Sequence, residues 1–157
     1  MFLKKKIGQN ILSKNKLLKN FILTTFFSLG IISILSLLSD LICLVFPQLK
    51  PDYDYASQYP FIVSIIILAL FPAIYEELIF RKLILQFLRK RFPDLAAILL
   101  SSLLFAVFHL NILQGITAFI FGIFLAVVAV RTGSIVLCIY AHFLNNLFFV
   151  LYKNMLL

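Results

Sequence analysis

At 157 residues the chain is long enough for a single domain. Hydrophobic residues make up 63% of it and charged residues only 13%, whereas a soluble domain carries about 25% charged residues, so an ordinary soluble core is excluded. The net charge of +8 could suggest nucleic acid as a partner, but the basic residues lie at the ends of apolar runs, as they do in cytoplasmic segments that face anionic lipid. We therefore predict an all-α polytopic transmembrane bundle of five to six helices, with the lipid bilayer and not nucleic acid as its partner.

The first predicted element is a membrane anchor that follows a basic tail. Six lysines lie within residues 1–19, and the apolar run after them is longer than the core of a signal peptide and lacks an A-x-A-like cleavage site. We interpret 1–19 as a cytoplasmic N-terminus and 20–47 as an uncleaved anchor helix. Ser33, Ser36 and Asp40 are spaced i, i+3 and i+7, so we expect them on one face of this helix, where small residues let helices approach.

The remainder of the chain is predicted to form a helical core over residues 60–152, within a single transmembrane domain of residues 1–157. The loop of residues 48–59 carries two aspartates, one proline and one lysine, which favours the non-cytoplasmic side. Pro72 is a candidate kink, and a break of the first core helix near Glu76 would raise the number of helices. The predicted core helices cover residues 60–91, 94–110, 115–130 and 134–152.

Seven strongly polar residues interrupt these apolar helices. Ionisable side chains are costly in lipid, so each is a candidate functional residue. A plain alternative for the first three is a helix end at the membrane interface, with the charges reaching toward water. The seven residues are Glu76, Glu77, Arg81, His109, His142, Asn145 and Asn146.

Spacing separates the two adjacent glutamates. Glu77 and Arg81 are four residues apart, so they share a helix face and are predicted to form a supporting ion pair. Glu76 points about 100° away on the helix and needs another partner. His109 lies about as far after the turn at Pro93 as Glu76 lies before it, so an antiparallel hairpin brings the two to the same depth. We predict that they meet there.

A second pair of polar residues lies on the last predicted helix. His142 and Asn146 are also four residues apart and face one way. A carboxylate beside a histidine can activate water, and two hydrogen-bond donors can stabilise an oxyanion. We therefore predict that Glu76 with His109 activates a water that attacks a carbonyl. His142 and Asn146 would donate hydrogen bonds to the oxyanion during hydrolysis of a peptide bond within the membrane.

Zinc is the competing interpretation of this set of residues. Glutamate and histidine are zinc ligands, but the H-E-x-x-H motif is absent from the sequence. The candidate ligands are spread over three helices, and the asparagine among them is a poor zinc ligand. We therefore expect no metal cofactor, with a zinc-dependent version of the same protease as the alternative.

Three short motifs resemble those of a known family. "EELIFR" at 76–81 has the form E-E-x-x-x-R, "FAVFH" at 105–109 the form F-x-x-x-H, and "HFLNN" at 142–146 the form H-x-x-x-N. In this order, on successive apolar helices, they are similar to the motifs of the CPBP family. That family comprises CAAX-prenyl intramembrane endopeptidases and the bacterial Abi or bacteriocin-immunity proteins. The resemblance covers about residues 60–150, most of the chain.

The resemblance implies an intramembrane glutamic endopeptidase in which Glu76 and His109 activate the water. His142 and Asn146 would form the oxyanion hole, and Glu77 with Arg81 would be a supporting pair. The substrates of this endopeptidase would be membrane-associated or prenylated CAAX-type proteins. Two other functions stay open: a non-catalytic membrane binding protein that confers bacteriocin self-immunity, and a small transporter that uses the buried charges as a proton relay. The residue usage is typical of an AT-rich bacterial genome, so we expect an integral protein of a bacterial plasma membrane with a cytoplasmic N-terminus.

Overall fold

The computed structural model describes the backbone of residues 2–50 and 59–155, and the side chains of residues 15–50 and 59–153. Within these ranges the chain is helical and contains no strand, which confirms the predicted fold class. The helices are α1 (Phe2–Val45), α2 (Phe61–Arg89), α3 (Asp94–Phe108), α4 (Ile112–Thr132) and α5 (Ile135–Met155). All except α3 are long and apolar enough to cross a membrane, and α3 is a shorter apolar helix.

α1 begins earlier than the predicted anchor helix. It starts at Phe2, within the segment interpreted as a basic tail, and ends at Val45. Pro47 then opens a short 3₁₀ turn, since proline has no N–H with which to continue the helical hydrogen bonds. Most of the loop that we predict on the non-cytoplasmic side, residues 51–58, lies outside the described residues.

α2 is one continuous helix of 29 residues, so the predicted alternative with a break near Glu76 is wrong. Two π-helical stretches, Ile65–Leu70 and Leu78–Ile84, flank the α-helical segment Phe71–Glu77 that carries both glutamates. Hydrogen bonds in a π-helix join residues i and i+5, so each turn holds more residues than an α turn. Side-chain directions along α2 therefore depart from the 3.6-residue period. The direction of the Glu76 side chain for this reason differs from that expected for a regular α-helix.

The turn between α3 and α4 is shorter than predicted. α3 ends at Phe108 and α4 begins at Ile112, whereas the sequence favoured a break between 110 and 115. The Asn111 side chain caps α4 by accepting a hydrogen bond from the backbone N–H three residues on, at 2.9 Å. Leu110 adopts a left-handed φ of 52°, which is uncommon for a residue with a side chain and lets the chain reverse at once.

α1 is packed onto the core and is not an isolated anchor. Two of its buried residues form one hydrophobic cluster with three residues of α4 and α5. Since side chains from three helices meet there, the position of α1 against the core is fixed by apolar packing. The members of this cluster are Ile32, Leu35, Phe121, Leu125 and Ala141.

The extensive contact between α3 and α4 depends on a small residue. A Cβ added at Gly122 would lie 3.2 Å from the Ser102 Cβ and 3.2 Å from the Phe105 ring. Both distances are shorter than ordinary van der Waals contact between carbon atoms, which is about 3.5–4.0 Å. Gly122 therefore sets how closely α3 and α4 approach.

We expect Gly122→Ala to destabilise the bundle by about 1–3 kcal/mol, because the added methyl group overpacks this contact. The matched control is Gly30→Ala in α1, where a Cβ meets nothing within 4 Å and alanine is the better helix former by about 1 kcal/mol. The thermal midpoint of the helical circular dichroism signal in detergent measures both. A midpoint that falls equally for the two variants would contradict the role of Gly122.

Candidate active site

A cavity of about 810 Å³ lies between the five helices, within the range of about 300–1,000 Å³ typical of ligand pockets. Its lining extends from Phe105 in the middle of the bundle to Lys50 and Lys153, near the end of the bundle at which α1 and α5 finish. We call that end of the cavity its mouth. The structure brings all four predicted catalytic residues to this one cavity: Glu76, His109, His142 and Asn146 line it.

Glu77 and Arg81 lie behind the cavity wall and not in its lining. Both are buried, at 0% and 1% exposure, and the Arg81 Nε lies 3.2 Å from the Glu77 Oε2, so the structure contains the predicted ion pair. Arg81 Nη2 also donates a hydrogen bond to the Gly122 carbonyl at 3.1 Å. The guanidinium lies 4.5 Å from the centre of the Phe105 ring, a cation–π contact. Arg81 thereby ties α2 to both α3 and α4.

Glu77 has a second partner that the sequence spacing did not predict. His142 Nδ1 lies 2.8 Å from Glu77 Oε1, and Nδ1 carries the hydrogen because an ionised carboxylate only accepts hydrogen bonds. This bond fixes the orientation of the imidazole and leaves Nε2 at 3.8 Å from Glu76 Oε2. A carboxylate that orients a histidine in this way is a recurring element of catalytic sites. Glu77 therefore positions His142 in addition to pairing with Arg81.

The predicted direct contact between Glu76 and His109 is not formed. Among the described side chains, the histidine within ion-pair distance of Glu76 is His142. His109 closes α3, and its Nδ1 donates a hydrogen bond to the Phe105 carbonyl at 2.9 Å. In the neutral ring Nε2 is then free to accept a proton. Glu76 and His109 still line one cavity, and polar groups beyond direct hydrogen-bond distance can act on one water between them.

The buried ionisable groups of the site are unbalanced in charge. Glu76, Glu77, Arg81 and His142 are each at most 7% exposed. Two carboxylates accompany one guanidinium, so a neutral imidazole would leave one excess negative charge, which is costly to bury. One additional proton, carried by either His142 or Glu76, whose Nε2 and Oε2 atoms lie 3.8 Å apart, makes this set of four side chains neutral. When His142 holds it, Glu76 is a base and His142 Nε2 is a hydrogen-bond donor.

Phe105 lies at the centre of the site, a role that the sequence spacing did not reveal. Its ring is 1% exposed and meets the rings of His109 and His142 edge to face, at centroid distances of 4.9 Å and 5.7 Å. Since Arg81 also lies over it, one aromatic ring supports three polar side chains. The F-x-x-x-H motif is the sequence signal for this contact, because four residues bring the phenylalanine and the histidine to one helix face.

Two neighbouring asparagines of α5 line the cavity, Asn145 and Asn146. Asn145 Nδ2 donates a hydrogen bond to Asn146 Oδ1 at 3.2 Å. That bond engages the oxygen of the Asn146 amide and leaves its Nδ2 group to donate. Asn146 can therefore act as a hydrogen-bond donor toward a group in the cavity.

Comparison with known proteins agrees with the motifs. The profile of one family, described as type II CAAX prenyl endopeptidase Rce1-like, matches residues 58–148. This segment is more than half of the chain and includes every predicted catalytic and supporting residue. No curated protein and no solved structure matches the chain significantly. With four helices able to cross a membrane, the chain is an integral membrane protein that belongs to the Rce1-like family of type II CAAX prenyl endopeptidases.

Proposed function

We propose that the chain is an intramembrane endopeptidase that hydrolyses a peptide bond of a membrane-associated or prenylated, CAAX-type substrate. The observation that supports this most is the buried Glu76 carboxylate in the cavity lining, 3.8 Å from a histidine that is itself oriented by a second carboxylate. His109 and Asn146 line the same cavity. A base, a proton acceptor in the same cavity and two hydrogen-bond donors are the groups that acyl transfer to water requires.

The proposed reaction begins with a water held between Glu76 and His109. Glu76 takes one proton from it, and His109 assists by accepting a hydrogen bond at Nε2. The water oxygen attacks the carbonyl carbon, and the carbonyl electron pair moves to the oxygen. When this tetrahedral intermediate collapses, the C–N bond breaks, and the proton held by Glu76 passes to the leaving amine.

The oxyanion of that intermediate needs hydrogen-bond donors aimed at it. In our proposal these are His142 Nε2–H and Asn146 Nδ2–H. His142 can donate through Nε2 only when it carries the additional proton, because Nδ1–H is already committed to Glu77. Each such donor contributes a factor of about 10²–10³ to the rate in well-studied acyl-transfer sites.

Cleavage itself is the test of this proposal. The full chain, purified and placed in lipid nanodiscs, is incubated with farnesylated CAAX peptides and with unmodified transmembrane peptides, and the products are identified by mass spectrometry. We expect a defined internal cut in at least one class. If no member of either class is cleaved, the endopeptidase proposal fails and the hypothesis of a non-catalytic immunity protein is favoured.

We propose that the reaction is metal-independent. Among the described residues, no three His, Cys, Asp or Glu side chains form a group that could hold a metal ion, and the water can be activated by carboxylate and imidazole alone. We therefore expect cleavage to continue at an unchanged rate after dialysis against a strong chelator. Loss of cleavage that added zinc restores would establish the zinc-dependent alternative.

A further inference from the structure

One wall of the cavity comes from a helix outside the family-matched segment. The match begins at residue 58, whereas α1 contributes Ser36, Ser39 and Asp40 to the lining. Ser33, predicted to share this face, is instead exposed and donates a hydrogen bond to the backbone carbonyl four residues before it, at 2.9 Å. The polar wall of α1 is therefore a feature of this chain that the family motifs do not describe.

Specific contacts with α5 hold α1 in this position. The hydroxyl groups of Thr25 and Tyr140 lie 3.1 Å apart, and the Phe21 ring stacks on the Tyr140 ring at a centroid distance of 4.3 Å. Further along α1, the cluster that contains Leu35 and Ala141 anchors the helix at the depth of the site. Since α1 is fixed at two levels, the face that it presents to the cavity is fixed as well.

The depth of Asp40 in the cavity follows from this packing. Leu35 shares a cluster with Ala141, the neighbour of His142, and so marks the level of the catalytic site. Asp40 lies five residues further along α1, about 8 Å nearer the mouth at about 1.5 Å per residue. An extended peptide advances about 3.3 Å per residue. A substrate that runs from the site toward the mouth therefore passes Asp40 two to three residues from the scissile bond, as counted with these figures.

Asp40 is an acid without a partner in the described part of the chain. No hydrogen bond or ion pair joins it to another described side chain, although four such ion pairs exist elsewhere. Among the described residues of the lining, the other acid is Glu76, and two lysines, Lys50 and Lys153, lie at the mouth. Asp40 is exposed and lines the cavity, so its carboxylate is accessible to a bound substrate and favours a positively charged group there through an ion pair of modest strength.

We propose that Asp40 is a specificity-determining residue that pairs with a lysine or arginine side chain of the substrate, two to three residues from the scissile bond on the mouth side. Asp40 takes no part in the chemistry, since it lies about 8 Å from the level of His142. The position relative to a scissile bond rests on the proposed endopeptidase function. The charge preference does not, and it can be measured without cleavage.

Binding of defined peptides to the full chain in nanodiscs tests the charge preference. Both proteins compared carry Glu76→Gln so that no peptide is consumed. The probes are dye-labelled 20-residue leucine–alanine peptides with one lysine, glutamate or alanine moved along the sequence. At one register we expect the lysine peptide to bind about fivefold more tightly than the alanine peptide, and Asp40→Asn to remove the difference.

Two controls separate recognition from a general charge effect. Asp94→Asn removes an exposed carboxylate that pairs with Arg89 at the far end of the bundle, so it should leave the lysine preference unchanged. Asp40→Lys should reverse the preference toward the glutamate peptide. A lysine preference that survives Asp40→Asn, or equal binding of all peptides at every register, would refute the proposal.

Cleavage of the same peptides by the chain with Glu76 intact separates this proposal from the proposed function. If cleavage occurs and Asp40→Asn raises KM for the lysine peptide while kcat is unchanged, both hold. If cleavage occurs with no charge preference, only the role of Asp40 is wrong. If binding depends on Asp40 but no peptide is cut, the endopeptidase function is wrong and the cavity is a cationic-peptide binding site.

Discussion

Glu76→Gln is expected to lower kcat/KM for a membrane-anchored reporter by about 10²–10⁴-fold, while the bundle stays folded. Glutamine keeps the size of the side chain but cannot take a proton from water. The substitution also removes the charge that calls for an additional proton, because the remaining Glu77 is already balanced by Arg81. With a neutral His142 the buried group then has no net charge, and an imidazole that carries its hydrogen on Nδ1 has none on Nε2 to donate to the oxyanion. One substitution thus removes the base and weakens the oxyanion site.

Stability separates this catalytic effect from a structural one. The ion pair with Arg81 belongs to Glu77, so the thermal midpoint of Glu76→Gln should stay close to that of the unmodified chain. Ser33→Ala is the control, because Ser33 is exposed and outside the cavity lining, and it should keep full activity. His109→Ala should also reduce cleavage with little change in stability. Full cleavage by both Glu76→Gln and His109→Ala would rule out the proposed mechanism.

Depth along the membrane was predictable from the sequence, whereas rotation about the helix axis was not. A helix rises by a constant amount per residue, so counting from the turn at Pro93 placed Glu76 and His109 at one level, and both line one cavity. Rotation depends on the number of residues per turn, and the π-helical stretches on either side of Phe71–Glu77 change that number. The pairing of Glu76 with His142 at 3.8 Å was therefore not predictable from the sequence.

Polar pairs within one helix were predictable from the spacing of their residues, whereas polar pairs between helices were not. The ion pair of Glu77 with Arg81 follows from a four-residue spacing within one helix, and the structure contains it. The hydrogen bond between Glu77 and His142 joins residues 65 positions apart, and no spacing rule reaches that far. The all-helical fold followed from composition, because a chain in lipid must satisfy its backbone hydrogen bonds within each segment. Helix packing, including the approach allowed by Gly122, is set by contacts between segments.

The second large effect is expected at the buried ion pair, where either single substitution should destabilise the bundle by about 3–5 kcal/mol. Glu77→Gln leaves the Arg81 guanidinium buried without a carboxylate, and Arg81→Met leaves the Glu77 carboxylate with His142 alone. Arg81→Met also removes the hydrogen bond to the Gly122 carbonyl and the contact with the Phe105 ring. Unfolding in mixed micelles with increasing denaturing detergent measures the free-energy difference for each variant.

The double variant Glu77→Gln/Arg81→Met should be more stable than either single variant, because no charge is left unpaired and a buried ion pair can often be replaced by neutral residues of similar volume. The glutamine carbonyl oxygen can still accept the hydrogen bond from His142 Nδ1, so the imidazole keeps its orientation. Lys82→Met removes an exposed positive charge next to Arg81 and should change stability by less than about 0.5 kcal/mol. Purely additive losses in the double variant would mean that the two side chains act independently, and that Arg81 stabilises the bundle through α3 and α4 and not through Glu77.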